Sequence, residues 1–184
     1  MLTTDIETDR LVLSCLRVDQ VDETYRGWMS DAETVQYLET RGPHPTLESL
    51  RTYVQRMRDS DDSYFFGIFL REGLRHVGNI KLGPISSKHG SAHIGLVIGD
   101  KSVWGTGIAG EAVGSVAKWG FDQLGLEKII AGSYASNVAS VRAFQRQGFS
   151  IEGVQRRHVA LDSGERDDVI LLGRTREDDG RSTL

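Results

Sequence analysis

The stretch Val103-Trp104-Gly105-Thr106-Gly107-Ile108-Ala109-Gly110-Glu111, continuing as AVGSVAKWGF to Gly120 and Phe121, joins an apolar run to a helical pattern through three closely spaced glycines. A helix start leaves backbone N–H groups without intrahelical acceptors and carries the positive end of the macrodipole. Glycines at 105, 107 and 110 let an anion, a diphosphate above all, come close to that backbone. Val113, Val116, Ala117, Gly120 and Phe121 fall on one face, with Leu124 continuing it, so the helix is amphipathic. The stretch reads as an anion cradle. A nucleoside triphosphate loop would close on Gly-Lys-Ser/Thr, whereas Ile108 and Ala109 follow Gly107 here. A dinucleotide fingerprint belongs to a parallel βαβ unit near a chain start. A plain tight strand-to-helix connection is the alternative without a ligand.

What precedes the cradle is not a parallel unit. Tyr64 to Leu70 and the run LRHVGNIKL flank a turn at Arg71-Glu72-Gly73, and AHIGLVIGD follows the polar SSKHGS as a third strand. These three runs predict an antiparallel meander. Further upstream, Leu11 to Leu16 reads as a strand, and Val21, Tyr25, Trp28 and Met29 give helical spacing between about Val18 and Met29. Thr46 is positioned to cap a second helix carrying Leu47, Leu50, Val54 and Met57 on one face, with a loop over Arg41 to Pro45 before it.

Beyond the cradle helix, KIIAGSY reads as a strand, and a short helix from Ser136 to Gln147 ends at Gly148. Two closing strands, Phe149 to Ala160 and Asp168 to Gly173, flank a turn at Asp162, Ser163 and Gly164. The order βααβββαβαββ predicts a mixed α/β (α+β) domain with six to seven mostly antiparallel strands and about four helices. Residues 1–175 are expected to form that single domain and residues 176–184 a polar, frayed tail. At 184 residues, with 39% hydrophobic and 26% charged residues, the chain suits one globular core.

Twenty-two basic residues against 26 acidic ones, a formal net charge of −4, imply no broad attraction for nucleic acid or anionic membrane. The lone cysteine, Cys15, forms no internal disulfide, and the opening residues lack a secretion signal, so a cytoplasmic location is the expectation. No apolar run reaches bilayer length. Five scattered histidines and one cysteine lack ligand spacing, so no metal is expected.

These residues resemble the GNAT superfamily of N-acetyltransferases, whose coenzyme A loop reads Arg/Gln-x-x-Gly-x-Gly/Ala at the start of the central helix. Trp104 departs from Arg/Gln, but WGxGxAxEA is the form usual in the ribosomal-protein alanine acetyltransferase (RimJ/RimL-type) branch. The opening ETDRLVLSCL, the segment NVASVRAFQRQGF and the closing DDVILLG agree in order and spacing, so the resemblance spans nearly the whole chain. The phrase from Val77 to Gly105 also looks like bacterial members that acetylate amino-sugars on nucleotide carriers.

The resemblance implies acetyl-CoA as cosubstrate and a GNAT fold with its fourth and fifth strands splayed. It places the coenzyme against Trp104, Gly105, Thr106, Gly107, Ile108, Ala109 and Gly110. The pantetheine arm would lie along Leu96, Val97 and Ile98, where the strand parts from KIIAGSY, with Asn137, Ser140 and Phe144 nearby. Members of the superfamily often pair, which makes a homodimer one of its implications.

Acetyl transfer to an amine needs a proton acceptor, because an ammonium has a pKa of about 10.4. Many relatives place a glutamate on the strand before the glycine turn, where this chain has His93. A histidine titrates near neutrality and can take that proton; a strand-end histidine facing solvent is the bland alternative. His89 in the adjoining loop is the poorer candidate. Phe144 stands where many members carry a tyrosine acid, and it has no proton to give. Ser140 matches the serine that the RimJ/RimL-type branch places near the sulfur, which makes it a candidate hydrogen-bond donor to the departing thiolate. It equally suits a helix-start serine bonded to backbone.

Asp167 and Asp168, with Glu165, could meet an amine or simply be solvated. Trp28, Tyr37 and Trp119 could line a pocket, though Trp28 and Trp119 have core spacing. The leading acceptor is a small-molecule amine, with amino-sugar ahead of polyamine or antibiotic. A protein N-terminus is the alternative acceptor, and a non-catalytic acetyl-CoA-binding module the alternative class.

Overall fold

The computed structural model describes residues 5–39 and 45–181. Among the described residues eight strands form one sheet: β1 (Ile6–Glu7), β2 (Leu11–Cys15), β3 (Tyr64–Leu70), β4 (His76–Ser86), β5 (Ser91–Ile98), β6 (Lys128–Tyr134), β7 (Ser150–Ala160) and β8 (Arg166–Thr175). Their spatial order is β1-β2-β3-β4-β5-β6-β8-β7. The expected meander is present, since β2, β3, β4 and β5 pair antiparallel in succession. Among the described residues there are also six α-helices: α1 (Glu23–Ser30), α2 (Ala32–Val35), α3 (Leu47–Arg58), α4 (Ile108–Leu124), α5 (Val138–Arg146) and α6 (Arg176–Arg181).

The sheet has one strand more than expected, and there are two helices more. β1 is two residues long and exists through pairing of Ile6 with Leu13 and Glu7 with Val12, so it carries no alternation of its own. α2 has four residues, capped by the Asp31 side chain accepting from Thr34 N. The last strand runs on to Thr175 and leads directly into α6, where a frayed polar tail was expected. The first predicted helix begins as a 3-10 turn over Val18–Gln20 and becomes α-helical at Glu23. Thr46 caps α3 as expected, accepting from Ser49 N. Residues 41–44 of the expected loop before it lie outside the described residues.

Alternation along the strands divides the molecule into two layers. Ala92 and Ile94 of β5, Ile129 and Ala131 of β6, and Phe66 and Ile68 of β3 pack in one core with Ile108, Ala112, Val113, Val116 and Phe121 of α4. Each fully buried Val, Ile or Phe side chain among them contributes about 1.5–3 kcal/mol. On the opposite face, Tyr25 and Trp28 of α1 and Leu50 and Val54 of α3 cover Phe69. Trp28 and Trp119 are both core residues: Trp28 meets His76 edge-on at 5.0 Å, and Trp119 meets Tyr64 at 4.9 Å. Among the described residues no helix is long and apolar enough to cross a membrane.

The joint that matters lies between β5 and β6. These strands are parallel, and their register covers only Ser91–Lys128, Ala92–Ile129 and His93–Ile130. From Ile94 and Ala131 onward β5 pairs with β4 alone and β6 with β8 alone. The two strands therefore part over Ile94–Ile98, the splay expected at this place. Parallel direction puts both C-terminal ends at the same end of the sheet, and α4 and α5 start there.

Candidate active site

The glycine turn and the helix start form as their sequence predicts. A 3-10 turn over Lys101–Val103 ends β5, and Gly105 (φ +75°) and Gly107 (φ +89°) then take left-handed conformations that lead into α4. A side chain at either position would be strained. Gly107 O accepts the first helical bond, from Glu111 N at 3.1 Å. Among the described residues, no acceptor meets the backbone N–H groups of Gly105, Gly107, Ile108, Ala109 and Gly110. Five donors gathered at a helix start, on a loop whose glycines at 105 and 107 are exposed, fit a diphosphate.

Two side-chain networks hold this loop. Trp104, 39% exposed, donates its indole N–H to Ile98 O at 2.9 Å, tying the loop to the end of the splayed strand. Lys101 lies 5.6 Å from the Trp104 ring centroid and bonds both Asp31 Oδ2 (2.8 Å) and Glu33 Oε2 (2.7 Å), joining the start of α2 to the same corner. The hydrogen bonds from Lys101, then from Thr34, hold the Asp31 carboxyl at about 2.

On the other side of the loop, Arg10 donates to Thr106 O (2.9 Å) and to Glu111 Oε2 (2.6 Å), and Thr8 Oγ1 donates to Glu111 Oε1 (2.5 Å). Partial burial would raise the Glu111 carboxyl. The bonds from Thr8 and Arg10 outweigh it, and the net displacement is downward. Neither network was expected from sequence, because Arg10 lies 101 residues from Glu111 and Lys101 lies 68 from Glu33.

His93 is exposed on the last paired rung of β5, at the apex of the splay. Its neighbours Ala92 and Ile94 point into the α4 core, so His93 faces the opposite layer together with Gly95 and Val97. Five residues at about 3.3 Å each separate it from Ile98, roughly 16 Å of strand. His89 lies in the β4–β5 turn, donating its backbone N–H to Ser86 O.

Asn137 caps α5, its Oδ1 accepting from Ser140 N at 3.1 Å. The serine's backbone thus has its partner, and its partly exposed hydroxyl is not used in that cap. Phe144 is 2% exposed, its ring 5.1 Å from that of Phe149 in the main core. It supports α5 from below, and little of its surface is open to a ligand. α5 closes on α4 where Gln147 lies beside Gly110, an added Cβ there falling 3.3 Å from Gln147 Nε2.

The acidic residues of the closing hairpin are engaged in holding backbone. Asp167 accepts from Ser136 Oγ (2.6 Å) and Ser136 N (3.1 Å), and Asp168 accepts from Arg157 N (2.7 Å). Tyr37 packs edge-on against Tyr134 at 5.7 Å, on the same layer as His93's side of the sheet.

The family model described as "Acetyltransferase (GNAT) domain" matches residues 10–150. The chain is 34% identical over 130 residues to "Probable N-acetyltransferase YjcK" of Bacillus subtilis, covering 68% of this chain and 71% of that protein. It is 30% identical over 160 residues to "Uncharacterized N-acetyltransferase YoaA" of the same organism, covering 84% and 87%. Among solved structures, spermidine N-acetyltransferase from Vibrio cholerae in complex with CoA and spermine superposes with a TM-score of 0.83 at 18% identity, over 93% of this chain and 98% of that one. RimL, a ribosomal L7/L12 alpha-N-protein acetyltransferase in complex with coenzyme A, gives 0.84 at 19% identity, over 96% and 100%. At these identities the two structures are similar in fold.

Proposed function

Because the chain belongs to the GNAT acetyltransferase family and is an N-acetyltransferase using acetyl-CoA, we propose that it acetylates the primary amine of a small molecule, with an amino-sugar as the leading acceptor. The observation that supports acetyl transfer is the parting of β5 from β6 at His93, with five unpaired amides at the same end of the sheet, and the amino-sugar assignment rests on the resemblance of the stretch from Val77 to Gly105.

In this reading the amides of Gly105 and Gly107–Gly110 hold the coenzyme diphosphate, with Trp104 and Thr106 shaping the loop. The free edge of Leu96–Ile98 receives the pantetheine arm as an added strand would be received, with Asn137 and Ser140 on the facing wall. The coenzyme supplies an acetyl thioester, whose carbonyl carbon is the electrophile. His93 takes the proton of the acceptor ammonium, directly or through a water, which leaves the nitrogen lone pair free to attack. A backbone N–H of the splayed strand polarises the carbonyl oxygen as charge develops on it. Ser140 donates its hydroxyl hydrogen bond toward the departing thiolate. Phe144 serves packing, so no tyrosine-like acid stands behind Ser140.

The acceptor is tested by a panel of amino-sugars, nucleotide-linked amino-sugars, polyamines and N-terminal peptides, read as free thiol released from acetyl-CoA. Highest kcat/KM on an amino-sugar supports the proposal. Highest kcat/KM on a peptide or a polyamine overturns that assignment while leaving the acetyl-transfer chemistry standing.

A further inference from the structure

The Arg10–Glu111 pair sits against the cradle and takes no part in the chemistry above. Glu111 is in the first turn of α4, the same turn that carries the unpaired amides of Ile108, Ala109 and Gly110. A carboxylate there stabilises the helix dipole, but it would also repel a bound diphosphate. Arg10 answers both problems. Its Nε and Nη2 grip Glu111 Oε2, each at 2.6 Å, and its backbone N–H reaches Oε1 at 3.0 Å. Its remaining terminal nitrogen, Nη1, reaches Thr106 O at 2.9 Å. Thr8 fills the other side of the carboxylate, and Arg71 Nη1 holds Thr8 O at 2.7 Å, so the β1–β2 turn that presents Arg10 is itself fixed.

The bond to Thr106 O has a geometric consequence. In a trans peptide the carbonyl and the next N–H point in opposite directions. Arg10 draws the Thr106 carbonyl toward β2, so the Gly107 N–H is directed away from it, outward from the loop. An added Cβ at residue 107 would lie 3.4 Å from Arg10 Nη2, in ordinary contact with it.

We propose that Arg10 is a positioning residue for coenzyme binding, aiming the Gly107 amide through Thr106 O and cancelling the Glu111 charge beside the phosphates. This rests on the reading of the cradle as the coenzyme site.

The test is calorimetric titration with coenzyme A of the wild type, Arg10→Met, Arg10→Lys and the double variant Arg10→Met/Glu111→Gln, with a thermal melt of each. Arg10→Met is expected to raise Kd about tenfold, since it loses an oriented amide and exposes a like charge. The double variant is expected to recover a measurable part of that loss although it has fewer bonds. Arg10→Lys keeps the charge without the fork and should fall between Arg10→Met and wild type. A purely structural role would lower the melting temperature while leaving Kd in the folded variant unchanged, and it would make the double variant no better than the single.

A Kd for Arg10→Met within twofold of wild type, or a double variant that binds no more tightly than Arg10→Met, overturns the proposal. If Arg10→Met does not fold, Arg10→Lys decides it: an unchanged Kd there overturns it and a raised one supports it. Failure of the wild type itself to bind coenzyme A overturns the cradle reading and this inference with it, and so is distinct from failure of the Arg10 role alone.

Discussion

Replacing Gly107 by alanine tests the cradle at its most constrained point. The residue has φ +89° and ψ 0°, further from the left-handed well than an L-residue adopts comfortably. The backbone strain is about 1–2 kcal/mol. The added Cβ would lie 3.4 Å from Arg10 Nη2, an ordinary contact that adds little. For a chain of this size about 1–2 kcal/mol corresponds to a fall of roughly 2–8 °C in Tm. The chain can relieve the strain by rotating the Thr106–Gly107 peptide, which turns the residue-107 amide away from the cradle. Loss of one hydrogen bond to a charged phosphate is worth about 1.5–3 kcal/mol, or roughly 10- to 150-fold in Kd.

Thermal melts and calorimetry with coenzyme A read the two effects separately. Gly27→Ala is the control: Gly27 lies inside α1 with open space around it, and alanine there should be neutral or raise Tm. A Gly107→Ala protein that melts with the wild type and binds coenzyme A equally well would refute the account of the loop.

Further outcomes follow from the site. His93→Ala should lower kcat/KM about 10²- to 10⁴-fold and alter its pH profile, measured with the best acceptor of the panel; an unchanged profile rejects His93 as base. Ser140→Ala should lower kcat with little change in the Kd for coenzyme A, since only the departing thiolate is addressed; a selective rise in Kd would assign it to binding. Phe144→Ala should cost about 3–5 kcal/mol in chemical denaturation, as a core deletion under α5, and a loss below 1 kcal/mol would contradict its burial. Asp31 has a folded pKa of about 2, below its unfolded value near 3.9, so its contribution is present above about pH 4 and lost as pH falls through about 2. Lys101→Met should therefore flatten the decline of Tm between pH 4 and pH 2, and an unchanged slope would show that the link is inert.

The glycine turn, the amphipathic helix and the meander were legible because each is written in contiguous residues. Gly105 and Gly107 need positive φ, Val113 to Phe121 repeat at helical spacing, and Thr46 and Gly148 mark helix ends where they stand in the fold. The splay, which the family resemblance implied beside Leu96–Ile98, falls where β5 loses β6 as a partner. The short elements escaped because their stability comes from partners. β1 is held by β2, and α2 is four residues on an aspartate cap, with Lys101 bonded to that aspartate and to Glu33. The Arg10 and Lys101 networks bring together residues that only the closed sheet makes neighbours, so no local pattern announces them. Asp167 and Asp168 look available in sequence, yet backbone and hydroxyl donors occupy both.

The most direct measurement compares amide shifts in ¹⁵N-labelled protein titrated with coenzyme A and, separately, with pantetheine, which lacks the diphosphate. Large displacements are expected at Gly105, Gly107, Ile108, Ala109 and Gly110 with coenzyme A and small ones there with pantetheine. Equal displacements with both ligands, or coenzyme A binding that leaves those five amides unmoved, would contradict it.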